Sequence, residues 1–190
     1  MSQKQYHIEI FTPETAEEFE QLWKLNHQVF AAELQMRSIS EEGKIVDKFH
    51  HKNIYRAARV ISDGTLAGMI SAHWCPPYSA AAHFGESVVT PPAEGKLAEI
   101  RLFALLPQYR STTLASQLAV PLLLELESQG VSEVIISGIS TRKTFYEHIG
   151  FQAVGDALRE GETLLYPMRG KLPLILARCR QALERYSKEI

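Results

Sequence analysis

Apolar residues recur along this chain at two spacings, and the change from one to the other marks out its elements. Leu97 to Leu106 is an apolar run short enough for a buried strand, and Pro107-Gln108-Tyr109-Arg110 breaks it. From Ser111 or Thr112 the spacing lengthens: Leu114, Leu118, Leu122 and Leu126 recur every fourth residue, one face of a helix that Gly130 is placed to end. Val131 to Ser137 is β-branched and predicts a second buried strand. A strand-helix-strand connection of this length favours parallel pairing. A short helix then leads to Gly150 and Phe151.

The flanks follow the same rules. Tyr6 to Phe11 alternates as a half-buried strand does, and Thr12-Pro13 ends it. Thr15 and Glu18 fit a capping box for a helix whose stripe is Phe19, Leu22, Trp23, Val29, Phe30 and Leu34. Residues 37–54 lack periodicity and read as a long loop, with or without a short helix, of the kind that often carries function. Tyr55 to Ile61 and Leu66 to Trp74 predict antiparallel strands, with Asp63-Gly64 suited to a type I′ turn. Ser79 to Gly95, rich in Ala, Gly and Pro, is expected to cover the sheet or border a site. Gln152 to Leu158 and Glu162 to Arg169 flank Arg159-Glu160-Gly161 as a last hairpin, and residues 172–188 form a closing helix.

Length and composition narrow the class. The 190 residues fit one domain, and 45% hydrophobic content suffices for a sizeable core. A net charge of −2, with mixed signs along the chain, suggests neither nucleic acid nor an anionic membrane as partner. Cys75 and Cys179 are far apart and form no metal-ligand spacing, so they read as reduced thiols. The opening MSQKQYHIEI has no apolar core of a leader peptide, and no apolar run approaches a membrane span, which together predict a cytoplasmic protein. G-x-S-x-G, P-loop and G-x-G-x-x-G motifs are all missing, which argues against nucleophilic hydrolases and nucleotide folds built on them.

The helix start at Arg110 to Leu114 is a candidate phosphate cradle, because a helix N-terminus leaves backbone N–H groups unpaired and carries the positive end of the helix dipole. Every strand-helix-strand unit has such a junction, so the junction alone does not decide. Two motifs add to it. Arg110-Ser111-Thr112-Thr113-Leu114-Ala115 follows a Pro-containing turn, and Tyr146-Glu147-His148-Ile149-Gly150-Phe151 opens a later strand. They resemble the acyl-CoA signature Q/R-x-x-G-x-G/A and the Y-E-x-x-G-F sequence of the GCN5-related N-acyltransferase (GNAT) family. The element order β-α-β-β-β-α-β-α-β-β over residues 6–169 is also similar. The resemblance implies an α/β GNAT fold, a mixed central sheet with helices on both faces. Thr113 departs from it, standing where the family usually has Gly, and its side chain would crowd or hydrogen-bond the pyrophosphate.

Shorter matches point within the family. Val29-Phe30-Ala31-Ala32-Glu33, Asp47 with Phe49, and Glu99-Ile100-Arg101-Leu102-Phe103-Ala104 resemble autoinducer synthases and long-chain N-acyl amino acid synthases, whose Arg usually falls one residue later. Ser137-Gly138 onward, with Tyr166-Pro167-Met168, is similar to acyltransferases of that branch.

The resemblance implies acyl transfer from acetyl-CoA or a longer acyl-CoA to a primary amine of a small molecule, without a metal. Two alternatives stand beside it: a long-chain donor on CoA or acyl carrier protein passed to an amino acid, and an acyl-CoA-binding module without turnover. A homodimer is compatible with all three. Tyr146 takes the family's acid position, and Glu99 is the expected base, directly or through water. Backbone at Phe103, Ala104 and Leu105 would meet the thioester oxygen. Arg110, Ser111, Thr112, Thr113, Leu114 and Ala115 would hold the donor, and Glu33 and His73 the acceptor. His50 and His51 are weaker candidates, since imidazole titrates nearest neutral pH but no further ligands accompany the pair.

Overall fold

The structure is a computed structural model that describes residues 6–188. Its centre is one eight-stranded sheet in the order β1-β2-β3-β4-β5-β8-β6, with β7 also pairing β8. The strands are β1 (Ile8–Phe11), β2 (Ile54–Val60), β3 (Leu66–His73), β4 (Lys96–Leu105), β5 (Val131–Ile139), β6 (Gln152–Ala153), β7 (Leu158–Glu160) and β8 (Thr163–Lys171). Among the described residues only β4 and β5 pair in parallel; every other pair is antiparallel.

Helices cover both faces. On one lie α3 (Thr112–Ser128) and α5 (Leu172–Lys188), whose Leu118, Leu122, Leu126, Ile175 and Leu176 close the largest core cluster. The expected four-residue stripe of α3 is buried throughout, at 4% exposure for Leu114 and 0% for the other three leucines. Truncating such a residue to Ala costs about 2–5 kcal/mol. The opposite face carries α1 (Ala16–Asn26) and α2 (Ser79–Phe84), over separate clusters built on Leu22 and Leu25 and on Ala80. The remaining α-helix, α4 (Lys143–His148), follows β5.

Several expectations are met in detail. Thr15 Oγ1 accepts from Glu18 N at 3.2 Å while Glu18 Oε2 accepts from Thr15 N at 3.1 Å, completing the capping box. Gly130 ends α3 at φ +79°. Other expectations change. The first helix does not run on as one α-helix, because residues His27–Glu33 form a π-helix that rotates Glu33 away from the α1 stripe. The β2–β3 turn is not type I′: Gly64 alone has positive φ, and its N–H reaches back to Val60 O in a longer turn. Ser79 to Gly95 contains α2 and a 3₁₀ turn, and the last hairpin divides its first strand into β6 and β7.

One irregularity positions the site. Leu102 adopts φ +50°, in the left-handed region that a Leu rarely enters. The β3–β4 register shifts there, with Ser71 opposite Arg101 but Met69 opposite Ala104, so β4 carries one extra residue. Before this bulge Glu99 and Arg101 face the α1/α2 side; after it Leu102 and Ala104 do.

Candidate functional site

Strands β4 and β5 pair only from Lys96 to Glu99 and from Val131 to Ile135. Beyond that point β4 stays with β3 and β5 stays with β8, so the two diverge. The wedge is lined from both sides by two cavities, of about 200 and about 350 Å³. They share the walls Leu34, Phe103, Ile139 and Tyr146.

The first cavity has two ends of different chemistry. One passes between the strands into the α3/α5 face, lined by Ile70, Ala119, Leu123, Ile136, Ile175 and Cys179. Burial pushes the Cys179 thiol up to about 11, so it stays protonated and serves as a neutral wall. The other end is polar, with Arg37, Lys48, Ser79, His83, Glu99, Arg101 and Glu160. The second cavity runs to the start of α3 along Val29, Glu33, Arg110, Ser111, Ala115 and Arg142.

A buried charge network underlies the polar end. Glu99 accepts from Ser79 N at 2.8 Å, Ser79 Oγ at 2.7 Å and Ala80 N at 2.8 Å. Its Oε2 stands 3.5 Å from Arg101 Nη1, which also donates to Ser79 Oγ. Arg101 reaches Asp47 at 2.6 Å, and Asn53 donates to Asp47 at 2.8 Å. Burial alone would raise the Glu99 pKa; His73, Arg101 and Ser79 outweigh it and hold the carboxyl at about 2. The same competition leaves Asp47 lowered: burial opposes, and Arg101 and Asn53 prevail.

These contacts correct the role expected of Glu99. A carboxylate held at about 2 and already accepting from three protein donors is a poor proton acceptor at neutral pH. What it does is anchor the first residues of α2, and through that helix it sets the place of His83. His73 is 1% exposed and lines neither cavity. It stacks on Tyr78 with centroids 5.4 Å apart, and its Nε2 lies 3.3 Å from Glu99 Oε2. Its geometry supports Glu99 and gives it no direct contact with an acceptor. Glu33, expected at the acceptor, lies on the second cavity and not at the polar end of the first, and pairs with Arg110 at 2.6 Å.

The residues expected at the donor gather around the second cavity with two qualifications. Phe103, Ala104, Leu105, Arg110, Ser111 and Ala115 line it. Leu114 is instead a core residue whose N–H is capped by Ser111 Oγ at 3.1 Å, which removes one donor from the cradle. Thr113 is half-buried and outside the cavity wall, and the Thr112 side chain lies outside the described residues. Arg110 also donates to Leu105 O at 3.0 Å, tying the helix start to the end of β4.

Tyr146 lies at the neck between the cavities. Burial pushes its phenol up to about 12, against a smaller lowering by Arg142. Gly138 makes room for the ring: a Cβ there would meet Tyr146 Cδ2 at 3.0 Å and Met168 Sδ at 2.9 Å. His50 is a packed residue, edge-on to Phe19 and Trp23 with Nδ1 3.2 Å from Tyr55 OH.

Two polar groups at this cavity escaped the sequence reading. His83 Nδ1 and Ser137 Oγ are shielded from solvent, line the first cavity and have no hydrogen-bond partner among the described residues. A buried polar atom left unpaired costs about 1–3 kcal/mol, a cost that a polar group entering this cavity would relieve. Of the histidines, only His83 lines either cavity among the described residues. No local pattern announced it; only the placement of α2 by Glu99 does.

Residues 84–172 match the acetyltransferase (GNAT) domain family. No curated protein matches the chain by sequence. Solved structures do match in fold. The CoA-dependent acyl-homoserine lactone synthase MesI gives a TM-score of 0.70 at 16% identity, over 94% of this chain and 95% of that one. FeeM, an N-acyl amino acid synthase from uncultured soil microbes, gives 0.66 at 16% identity, over 90% and 98%. A further similar structure is the acyl-homoserine lactone synthase BjaI with SAM and isopentyl-CoA, at 0.69 and 16% identity over 87% and 82%. Residues 84–172, which carry the bulged β4 and the diverging β5, thus match a GNAT acetyltransferase domain, within a chain whose fold is shared with these synthases.

Proposed function

We propose that this protein transfers an acyl chain longer than acetyl from a CoA thioester to a small primary amine. The observation that carries this reading is the apolar limb of the first cavity, which leaves the neck at Tyr146 and runs between β4 and β5 into the α3/α5 face. An acetyl group needs no such limb. The second cavity, with Arg110 and Arg142, suits the pantetheine and phosphate portion of the donor, and the polar end of the first suits the amine.

Each residue then has a task. The amine nitrogen attacks the thioester carbonyl carbon, a C–N bond forms and the C–S bond breaks. Backbone at Phe103 to Leu105, next to the bulge and without a strand partner on the β5 side, meets the charge that develops on the carbonyl oxygen. His83 Nδ1 takes the surplus proton of the amine. With a pKa near 12, Tyr146 stays protonated and donates a hydrogen bond to the departing sulfur. Full proton transfer from it to a thiolate would be uphill by about 3–4 pKa units, so the thiolate takes its proton from solvent. Glu99 and His73 are positioning residues behind α2. A carrier-protein donor has no separate observation in its favour here.

The test is thiol release from acetyl-CoA through dodecanoyl-CoA with pooled small amines. Release should rise with acyl length, and Tyr146→Phe and His83→Gln should each lower kcat, the latter about 100-fold, with unchanged melting temperatures. Binding of no acyl-CoA would overturn the reading in favour of a module that has lost its donor. Full activity in His83→Gln would remove that residue from the mechanism.

A further inference from the structure

Among the described residues the second cavity is lined by two cations, Arg110 and Arg142, and by a single carboxylate, Glu33. A wall suited to the phosphates of a CoA thioester gains nothing from a fixed carboxylate, because like charges side by side repel. The fold nevertheless brings one there. The π-helix His27–Glu33 closes with Leu34 N donating to Val29 O at 2.9 Å, and Val29, Glu33 and Leu34 all line the cavity.

Glu33 occupies the guanidinium that stands at the start of α3. Arg110 Nη2 donates to Glu33 Oε2 at 2.6 Å, and Arg110 Nε donates to Leu105 O at 3.0 Å. Nε and Nη2 form one edge of the guanidinium, so the edge that could grip two phosphate oxygens is closed by the protein itself. The start of α3 has also given the Leu114 N–H to Ser111 Oγ at 3.1 Å. With Glu33 in place, Arg142 is the one cation of this wall without a carboxylate in ion-pair distance among the described residues.

This ion pair differs from the one beneath the first cavity. Arg101 and Asp47 are equally close, at 2.6 Å, but their side chains are 7% and 1% exposed, against 29% and 31% for Arg110 and Glu33. Water solvates both partners of the more exposed pair as they part, so exchanging Glu33 for another anion shifts an equilibrium by only a few fold. The buried pair has no such release, because parting it would leave a lone charge in the interior.

We propose that Glu33 is a donor-gating residue: in the free protein its carboxylate holds the place of a donor phosphate on Arg110, and the CoA thioester displaces it on binding. This rests on the reading of the second cavity as the phosphate end of a CoA thioester site. Glu33 then lowers the affinity for phosphorylated donors alone and makes it sensitive to salt. A thioester of pantetheine, which carries no phosphate, binds without the exchange.

The experiment is calorimetric titration of wild type and Glu33→Gln with octanoyl-CoA and with octanoyl-pantetheine, at low and at high salt. Glu33→Gln should bind octanoyl-CoA about three- to tenfold more tightly at low salt, and octanoyl-pantetheine as wild type does. The gain should shrink at high salt, where the charges are screened; where the pantetheine thioester binds neither protein, this comparison decides. The melting temperature should change little, as for any partly exposed pair. Weaker octanoyl-CoA binding by the variant would mean that Glu33 orients Arg110 for the phosphate, and overturns the inference. So does an unchanged affinity, an equal gain for both thioesters, or a gain that salt does not alter. Each of these leaves the transferase reading standing. Binding of octanoyl-CoA by neither protein overturns both, whereas binding by the variant alone supports the gate.

Discussion

Ala119 lies on α3 in the wall of the apolar limb, beside Leu123, Ile175 and Cys179, and its replacement by Leu tests whether that limb holds the acyl chain. Each methylene moved out of water is worth about 0.8 kcal/mol, so donor affinity should tighten roughly fourfold per methylene until the limb is full. Ala119→Leu adds an isopropyl group to the wall, which takes the room of about three methylenes. For the longest donor that fits, that is roughly 2.4 kcal/mol, or about 60-fold in Kd. Acetyl-CoA should bind as before. The assay is calorimetric titration of wild type and variant with acetyl-, butyryl-, hexanoyl-, octanoyl- and decanoyl-CoA, with the melting temperature of each protein alongside. If the space is too tight for a chain, Leu overpacks the core instead, costing about 1–3 kcal/mol, and the melting temperature drops by roughly 2–4 °C per kcal/mol. That drop, equal weakening of acetyl-CoA, or a wild-type affinity that does not change with chain length would each refute the argument.

Two further outcomes follow from the network and the neck. The Glu99 carboxyl, depressed to about 2 from 4.5, contributes stability that is present above pH 4.5 and lost as pH falls toward 2; this amounts to about 3 kcal/mol, with about 2 gone by pH 3. In urea unfolding, Glu99→Gln should be destabilised at pH 7 and lose less between pH 6 and pH 3 than wild type does; parallel pH curves for the two proteins would contradict the assignment. Gly138→Ala should displace the Tyr146 ring, since the added Cβ would stand 3.0 Å from it, and lower kcat for every donor while leaving acyl-CoA affinity within a few fold. An undiminished kcat would mean that the ring position does not matter to the reaction.

Much of this protein was legible in its residues taken locally. The α3 stripe, the capping box at Thr15 and Glu18, the glycine that ends α3, and the order of the main strands each depend on contacts within a few residues, which periodicity and cap chemistry report directly. So did the two motifs at Arg110 and Tyr146, which carried the family. What the tertiary structure decided are the features made by residues distant in sequence. The bulge at Leu102 reverses the parity of β4, so no alternation rule applied along Leu97 to Leu106 can say that Glu99 and Leu102 share a side. Glu99 is expected as a base from the family resemblance, but its neighbours Ser79, Ala80 and Arg101 make it an anchor, because a buried carboxylate takes its pKa from whatever donors the fold brings to it. Glu33 turns to Arg110 through a π-helix that the apolar pattern of the first helix does not encode. His83 becomes a cavity residue only because α2 is fastened to β4, and the apolar limb of the first cavity exists only because β4 and β5 keep different partners after Glu99 and Ile135.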